Sequence, residues 1–475
     1  MTRLLDPGRV LIVGGGPTGL GAAWRLDHHG FRDYVLLEAE PHPGGLAASE
    51  VDARGFVWDA GGHVHFSHYD LYDQALDEAL GDAWYWHERD AWVWLNERWV
   101  PYPFQHHVHH LDPRDQARVL QGLDRARLDT GETPRTFAAW IDRTFGEGLA
   151  ALFLRPYNEK IWRHPLERMS VGWLGERVAA PDPDDLRARI AARQDRRQWG
   201  PNHRFRYPAR GGTGAIWTGL AGRLDPARLR FGVPAGHVDV EARTMTTTTD
   251  ECLPWDTLIS TIPLDRFVAR AAGVAPAARE AARHLVANSV CAVGIGLRGG
   301  RPDGLSRKTW IYYPEPSSPY YRVTVLSNYS PHNVPEGDGY WSLLTETSLP
   351  HGSPPDVDGL IDWTLRALSQ DALVSDEADV VSVWHRHLPY GYPVPSLGRD
   401  EALATLQAEL EACRVFSRGR FGAWKYEVSN QDHCFMQGVE LVDRLLLGAP
   451  EPTLNDPDAV NRGDYRRNPA GPASA

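Results

Sequence analysis

The apolar residues of this chain follow two patterns, and the change between them falls near residue 285. In the first part, apolar runs at 10–13 and 34–37 flank a helical stretch, an arrangement typical of two buried strands joined by a helix. Helical periodicity recurs at 70–80, 112–126, 136–162 (with a Gly break near 146–148) and 182–197. In the second part, short β-branched and aromatic segments alternate with Gly, Pro and Asn turns, which predicts an antiparallel sheet.

Four further segments complete this pattern. Residues 84–99 are rich in Trp and alternate apolar with polar positions, like paired strands. Residues 256–263 are typical of a strand that ends in a turn of small residues, and residues 401–412 predict a short helix. Residues 419–448 predict a strand, a polar loop and a helix that begins near His433.

A glycine-rich turn separates the first strand from the first helix. Gly14, Gly16 and Gly19 have GxGxxG spacing, and Glu38 closes the second strand. The glycines suit a tight turn and close approach of the backbone to a pyrophosphate, and Glu38 can accept hydrogen bonds from a ribose. This unit predicts a dinucleotide site and leaves NAD(P) and FAD open. Gly-Gly pairs at 44–45 and 61–62 resemble those of FAD proteins of the amine-oxidase type, which favours FAD.

Composition narrows the class of protein. The chain has 475 residues, of which 42% are hydrophobic and 24% charged, as in a globular protein of two or three domains. Its net charge of −12 argues against a nucleic-acid partner, and four Cys without a CxxC pair argue against a disulfide scaffold or zinc ribbon. No apolar run reaches the roughly 18 residues of a membrane span, and the start lacks the core of a signal peptide. We therefore expect a cytoplasmic protein without a membrane span.

Seven longer motifs carry a family resemblance. In chain order they are DAGGHVHFSHY (59–69), WVPYPFQ (99–105), LFLRPYN (152–158), GWLGERVAAP (172–181), WGPNHRFRYPARGGTGAIW (199–217), SNYSPHN (327–333) and GRFGAWKYEVSNQDH (419–433). Together they resemble the UDP-galactopyranose mutases, and within these the eukaryotic-type branch. The resemblance extends from Val10 to Asn455, which is nearly the whole chain.

The pattern and the resemblance together predict a mixed α/β (α+β) fold with three parts. A discontinuous Rossmann-like FAD-binding domain is expected at 8–98, 205–284 and 405–455. A helical substrate or oligomerisation domain is expected at 99–204, and an antiparallel-sheet substrate domain at 285–404. Residues 463–475 are expected to form a disordered tail.

The resemblance implies a flavin-dependent isomerase that interconverts UDP-galactopyranose and UDP-galactofuranose. In this family FAD acts in its reduced state, and its N5 displaces UDP to form a flavin–sugar adduct in which the ring opens and recloses. Eukaryotic-type relatives take hydride from NADPH or NADH, so either is the expected reductant. The resemblance also implies a homo-oligomer, either a dimer or a tetramer.

The motifs transfer the catalytic and cofactor residues of the family onto this chain. His63 corresponds to a histidine that lies against the flavin. Arg177 and Arg322 correspond to arginines whose planar guanidinium groups bind the diphosphate and stabilise the departing UDP. The expected FAD-binding residues are Gly14, Gly16, Thr18, Gly19, Glu38, Gly45, Leu46, Gly61, Gly62, His63, Arg89, Arg420, Asn430 and Gln431.

The motifs likewise imply a set of residues around the UDP-sugar. Gln105 can read the donor and acceptor of uracil. For Phe153 and Trp162, packing in a helical core is the competing interpretation. The expected substrate-binding residues are Phe66, Tyr102, Phe104, Gln105, Phe153, Asn158, Trp162, Arg177, Asn202, Trp310, Tyr312, Arg322, Tyr329, Tyr392, Tyr426 and Asn430.

The run HHVHH at 106–110 departs from the family, where Asn residues usually follow the Gln. We expect no metal here, because successive side chains on an extended segment point apart. Two alternative functions stay open. One is a ring mutase for another nucleotide sugar (a different hexose, an arabinose or a different base) in antibiotic or glycan biosynthesis. The other is an FAD-dependent amine oxidase-like oxidoreductase, which needs an apolar or amine-binding cavity.

Overall fold

The computed structural model describes residues 5–128, 131–175, 178, 180–196 and 200–463. The expected tail therefore lies, apart from Gly463, outside the described residues. Across those residues, no helix is both long and apolar enough to cross a membrane.

The strands are β1 Val10–Val13, β2 Tyr34–Leu37, β3 Ser49–Val51, β4 Val57–Asp59, β5 Trp84–Glu88, β6 Ala91–Leu95, β7 Arg98–Pro101, β8 Arg204–Pro208, β9 Leu229–Arg230, β10 Ala235–Asp239, β11 Thr244–Thr247, β12 Cys252–Pro254, β13 Thr257–Ser260, β14 Val286–Arg298, β15 Trp310–Tyr312, β16 Arg322–Thr324, β17 Tyr340–Pro350, β18 Asp379–Leu388, β19 Pro393–Val394 and β20 Val415–Ser417. The helices are α1 Pro17–His28, α2 Asp70–Leu80, α3 Pro113–Leu128, α4 Phe137–Leu149, α5 Arg155–Trp162, α6 Pro183–Ala192, α7 Gly214–Ala221, α8 Leu264–Arg270, α9 Pro276–Ala282, α10 Val357–Gln370, α11 Arg399–Ala412, α12 Gln431–Leu447, α13 Pro452–Asn455 and α14 Pro457–Arg462.

A parallel sheet with the order β20-β13-β1-β2-β9 carries the glycine-rich turn at the end of β1. The expected return of the chain at 256–263 is confirmed, because Thr257–Ser260 pairs in parallel with Val10–Val13. Helices cover both faces of this sheet: Ile12 packs toward α1 and α12, whereas Leu11 packs toward α8, α9 and α11. Burial on both faces explains why β1 is an uninterrupted apolar run.

A larger sheet has the strand order β18-β14-β17-β16-β15-β6-β7. Its pairs are antiparallel except for β15 with β6. The hairpin of β6 and β7 thus belongs to this sheet, and the predicted domain boundary between 98 and 99 falls inside it. The predicted boundary follows the order of the chain, whereas residues 91–101 belong to a sheet whose other strands are more than 180 residues away in sequence.

The Trp-rich segment 84–99 is not one hairpin. Trp84–Glu88 pairs with β8, about 120 residues later, and only β6 and β7 pair with each other. A second correction concerns 419–448, where the predicted strand is absent among the described residues. The strand of that region is Val415–Ser417, the polar loop follows it, and the expected helix begins at Gln431.

The helical layer is formed by α3 to α6 over β6 and β7. The break expected near 146–148 is present, because Gly146 has φ +66° and a Cβ there would lie 2.2 Å from the Gly122 carbonyl carbon. Glycines at both positions let α3 and α4 pack closely. The helix predicted over 182–197 ends earlier, at Ala192, where Arg193 adopts a left-handed conformation.

Candidate active site

The turn after β1 has the geometry of a pyrophosphate cradle. A Cβ on Gly19 would lie 1.9 Å from the Gly14 carbonyl oxygen, so Gly19 is needed for packing of α1 on the turn. A Cβ on Gly16, by contrast, would meet nothing closer than 3.7 Å, and it would occupy the space next to Gly45. Because Gly16 is the N-cap of α1 and offers no side chain, the first amide groups of the helix are open to an anion.

Glu38 lies over this turn. Its carboxylate accepts hydrogen bonds from the Gly15 amide at 2.6 Å and the Glu40 amide at 2.9 Å. Each oxygen keeps a second lone pair, so the carboxylate can also accept from a ribose hydroxyl. The side chain is held in position before any ligand binds.

A cavity of about 740 Å³ runs from this turn to the edge of the larger sheet. Pockets of this size hold a cofactor or a substrate of several rings. The predicted site residues that line it are Gly14, Gly16, Thr18, Glu38, Gly45, Leu46, Gly61, Gly62, His63, Phe66, Arg322, Tyr392, Arg420, Tyr426, Asn430 and Gln431.

The Gly61–Gly62–His63 loop lies where the two sheets meet. A Cβ on Gly62 would lie 2.4 Å from the Thr324 hydroxyl, so the loop is pressed against β16. Asp59, just before the loop, is fully buried and accepts hydrogen bonds from Tyr207 at 2.8 Å and the Thr213 amide at 3.0 Å. Burial raises the pKa of Asp59 to about 6 despite these bonds. Asp59 thereby fixes the start of the loop.

Arg322 forms an ion pair with Glu346 at the far end of the cavity. The Nε and Nη2 groups of Arg322 donate to the two carboxylate oxygens, the second bond being 2.8 Å long. Glu346 also accepts from the Gly62 amide at 3.3 Å and from the Tyr321 hydroxyl at 3.0 Å. The Tyr321 hydroxyl in turn lies 3.1 Å from that of Tyr392.

The charges of this ion pair act on each other and on the loop. Burial alone would raise the pKa of the Glu346 carboxyl, but Arg322 and the Gly62 amide hold that pKa below its ordinary value. Burial lowers the pKa of His63 to about 4; Glu346 opposes this shift, whereas Arg322 adds to it. His63 is therefore a neutral imidazole at pH 7, and its buried Nδ1 has no hydrogen-bond partner.

A second arginine, Arg420, also lines the wall of the cavity. It donates to the carbonyl oxygens of Gly391 at 2.8 Å and Ser429 at 3.1 Å, and its guanidinium lies 4.9 Å from the Tyr392 ring centre. These acceptors are neutral, so the positive charge of Arg420 persists at the cavity. Asn430, the N-cap of α12, and Gln431 complete this wall; Gln431 accepts from the Trp217 indole at 3.0 Å.

An aromatic layer connects the cavity to the helical layer. Tyr102 lies between the Arg89 guanidinium, 5.2 Å from its ring centre, and the Tyr312 ring at 5.0 Å. Arg89 also donates to the side-chain oxygen of Asn202. Trp162 contacts Tyr426 with ring centres 4.8 Å apart and Tyr392 at 5.9 Å. Tyr392 and Tyr426 belong to the described lining of the cavity, and the other predicted residues of this layer lie next to it.

Other predicted substrate residues lie deeper. Phe104 is fully buried and stacks on Phe153 at 4.8 Å in the core of the helical layer, as the packing interpretation predicts for Phe153. The side-chain amide of Asn158 donates to the Leu154 carbonyl at 2.7 Å, and its side-chain oxygen accepts from the Trp162 indole at 3.2 Å. Gln105, Trp310 and Tyr329 are also buried. Their roles in substrate binding stay predictions, and Arg177 lies outside the described residues.

The His run does not have the expected conformation. Two short 3-10 turns, Phe104–His106 and Val108–His110, replace the predicted extended segment. His109 and His110 consequently converge on the same carboxylate, that of Asp195, at 3.0 and 2.8 Å. The premise that these side chains point apart is therefore wrong.

Two functional positions, Glu346 and Asp59, were not predicted as site residues. Both are single acids in strand-like sequence, and their partners are distant in the chain. The only available signal for Glu346 was a charge inside the apolar pattern of 340–350, a position where burial requires a partner.

The residues present fit an FAD molecule. The Gly16–Gly45 gap gives backbone room for a pyrophosphate, and Glu38 stands at the ribose position. The cavity then continues to the orphaned Nδ1 of His63, a polar atom that needs a partner. Fold and site together define a flavoprotein with a dinucleotide-binding sheet and a second, substrate-facing sheet.

Comparisons with known proteins agree with this class. The family model of the flavin containing amine oxidoreductases matches residues 17–440. A solved structure of reduced UDP-galactopyranose mutase is 43% identical, with 96% of this chain and 97% of that chain covered and a TM-score of 0.92. The chain belongs to the flavin containing amine oxidoreductases and, within them, to the UDP-galactopyranose mutase family.

More distant structures share the fold alone. A CLA-producing fatty acid isomerase from P. acnes is 17% identical, covers 93% of this chain and 99% of its own, and has a TM-score of 0.62. A putrescine oxidase bound to putrescine is 15% identical, covers 92% and 98%, and has a TM-score of 0.63.

Proposed function

We propose that this chain binds FAD and, with the flavin reduced, interconverts UDP-galactopyranose and UDP-galactofuranose. The observation that carries the proposal is the continuous cavity that joins the dinucleotide turn to the Arg322–Glu346 pair. Anion-binding groups thus stand at both ends, one for the pyrophosphate of a dinucleotide and one for a second diphosphate. The 43% identity to a UDP-galactopyranose mutase supports the same assignment.

The FAD would be held by Gly16, Gly45 and Glu38 at its nucleotide end and by the Gly61–His63 loop and Arg420 near its ring. Bound and reduced, FAD supplies the nucleophile for displacement of UDP. Arg420, whose hydrogen bonds go to neutral carbonyls, favours an anionic ring beside it.

Arg322 is the described cation that we assign to the substrate diphosphate. Of the five N–H donors of a guanidinium, two point at Glu346. The remaining donors are held in one orientation toward the cavity that Arg322 lines. They can stabilise the charge that grows on the diphosphate as it departs, and then hold it for its return. Arg177 is proposed as the second cation on the resemblance alone.

His63 serves this chemistry as a neutral imidazole. Its pKa of about 4 removes a positive charge from the loop, and its Nδ1 is free to exchange a hydrogen bond with a ligand. A neutral ring can donate from one nitrogen while accepting at the other. We propose that His63 orients the ligand group that it faces by a hydrogen bond, and that it adds no net charge to the site.

Conversion of UDP-galactofuranose to the pyranose by dithionite-reduced protein, monitored by chromatography, tests the proposal. We expect conversion only with the reduced protein, and loss of most turnover in Arg322→Lys, which keeps the charge and loses the fork. Hydrogen peroxide produced from amines, without isomerisation, would show an oxidase instead. UDP-, GDP- and TDP-sugars in parallel define the base.

The resemblance adds four predictions, and two of them can be tested with the same protein. Reduction of the flavin by NADPH or NADH can replace dithionite in the same assay. Sedimentation of the FAD-loaded protein distinguishes a monomer from the dimer or tetramer. The cytoplasmic location and a role in glycan or cell-wall biosynthesis stay predictions of the family resemblance.

A further inference from the structure

The His run and the segment after α6 form a cluster that the isomerase chemistry does not use. Nε2 of His109 lies 3.0 Å and Nε2 of His110 lies 2.8 Å from the same Asp195 oxygen, and all three atoms lie within 4.8 Å of one another. The two imidazole rings are 4.2 Å apart. None of the three residues belongs to the described lining of the cavity.

The cluster is built into the fold rather than assembled by mobile side chains. His107, which is fully buried, accepts a hydrogen bond from the Arg196 amide at 2.9 Å through Nε2. Its Nδ1 must then carry the proton that it shares with the Pro103 carbonyl at 2.8 Å. This histidine fixes the backbone beside Asp195 against the His run and so sets the distance between the ligand atoms.

The spacing suits a small transition-metal ion. Zn–N and Zn–O bonds of about 2.0–2.2 Å place neighbouring ligand atoms about 2.9 Å apart at a right angle and about 3.4 Å apart in a tetrahedron. The observed separations of 3.0 and 2.8 Å already match a right-angled pair of ligands, and for a tetrahedron they would have to open by about 0.4 and 0.6 Å. Two imidazoles and one carboxylate are ligands for zinc, cobalt or nickel rather than for magnesium or calcium.

The exposure of the cluster also fits a bound ion. The side chains of His110 and Asp195 are each 30% exposed, so water can complete the coordination, whereas His109 is only 7% exposed. Arg193 lies close enough to oppose a cation, and the Nδ1 of His109 is buried without an acceptor. Both features limit the affinity.

We propose that His109, His110 and Asp195 form a binding site for one divalent transition-metal ion, which ties the His run to the segment after α6. The ion would be structural. It would link the turn Val108–His110 to Asp195, which lies 85 residues after His110 in the chain. The site is independent of the isomerase activity.

The test uses full-length, untagged, FAD-loaded enzyme that has been treated with EDTA and desalted. We expect one Zn²⁺ per chain by equilibrium dialysis and mass spectrometry, a higher Tm with Zn²⁺, and Co²⁺ difference bands to the red of the flavin absorption. His110→Gln and Asp195→Asn should weaken Zn²⁺ binding by more than about a hundredfold, since loss of even an outer hydrogen-bond partner costs about 10–100-fold.

The matched control is His237→Gln, which removes an exposed histidine from β10, and it should bind Zn²⁺ like the wild type. FAD content and circular dichroism establish that each variant is folded. Binding that is equal in the wild type and Asp195→Asn, or an unchanged Tm with less than one ion per chain, would overturn the proposal. The cluster would then be a hydrogen-bonded His–Asp group only.

Discussion

Replacing Glu346 by Gln separates the position of Arg322 from its charge. The substitution keeps the shape of the side chain and removes the carboxylate that accepts two hydrogen bonds from Arg322. Glu346 is 4% exposed and Arg322 20% exposed, and Arg322 borders the cavity. Breaking a fully buried pair costs about 3–5 kcal/mol. Because cavity water solvates part of Arg322, we expect a loss of about 2–3 kcal/mol in the free energy of unfolding.

For a chain of this size that loss corresponds to a decrease of about 2–3 °C in Tm. The effect should depend on pH. Arg322 holds the pKa of Glu346 below its ordinary value. The stabilisation is therefore present above the ordinary carboxyl pKa and is lost as the pH falls through the folded value. The difference in Tm between wild type and variant should be constant near neutral pH and should become smaller in acid.

Turnover gives the decisive measurement. Without its partner, Arg322 keeps its charge and still attracts UDP, but its fork is no longer oriented. We expect KM to fall, because the charge of Arg322 is no longer offset by a carboxylate, and kcat to fall by about 10–100-fold, as misplacement by about 1 Å does. Glu440→Gln is the control: this buried glutamate lies away from the described cavity lining, and burial raises its pKa to about 8, so it is neutral at pH 7. A wild-type kcat in Glu346→Gln, with a lowered Tm, would refute the positioning role.

Three further substitutions test other parts of the site. His63→Ala should retain FAD and lose most turnover, and unchanged turnover would remove His63 from the mechanism. Gly16→Ala should keep Tm but lose FAD on dialysis, because its Cβ meets space rather than protein, whereas Gly19→Ala should lower both Tm and FAD content. Burial lowers the pKa of His65 from 6.5 to about 3, so protons bind the unfolded chain first and stability falls as the pH drops below 6.5. His65→Gln should flatten this slope in thermal melts, and an unchanged slope would contradict it.

Local pattern was sufficient where the structure is local. The strand, glycine turn and helix at 10–28 lie as predicted, because buried parallel strands and helix N-termini have strong sequence signals. The break at Gly146 was equally visible. The pairing of β5 with β8 was not, because cross-strand partners about 120 residues apart leave no periodic trace in either segment.

The residues of the site also differ in how far the sequence predicts them. Residues inside contiguous motifs, such as Gly61, Gly62 and His63, line the cavity, and their roles there stay predictions. Glu346 could not be predicted, because its role arises only when β17 brings it beside the Gly62 amide, 284 positions away. The prediction of an extended His run was wrong for a different reason. The conformation of this segment is set by the tertiary contacts of His107 rather than by local propensity.

The chain carries a net charge of −12, whereas the proposed function requires it to hold two diphosphates. Two arginines that line the cavity have different hydrogen-bond partners, and this difference reconciles the two facts. Arg322 faces a carboxylate that orients it, whereas Arg420 is held by carbonyl oxygens that leave its charge uncancelled. An arginine that is oriented and neutralised by a carboxylate attracts the anion of the bound substrate weakly. Its interaction becomes stronger when new negative charge develops in front of its remaining N–H groups. An uncancelled arginine stabilises a charge that persists. Under the proposed function, Arg322 therefore suits the leaving group and Arg420 suits the reduced ring.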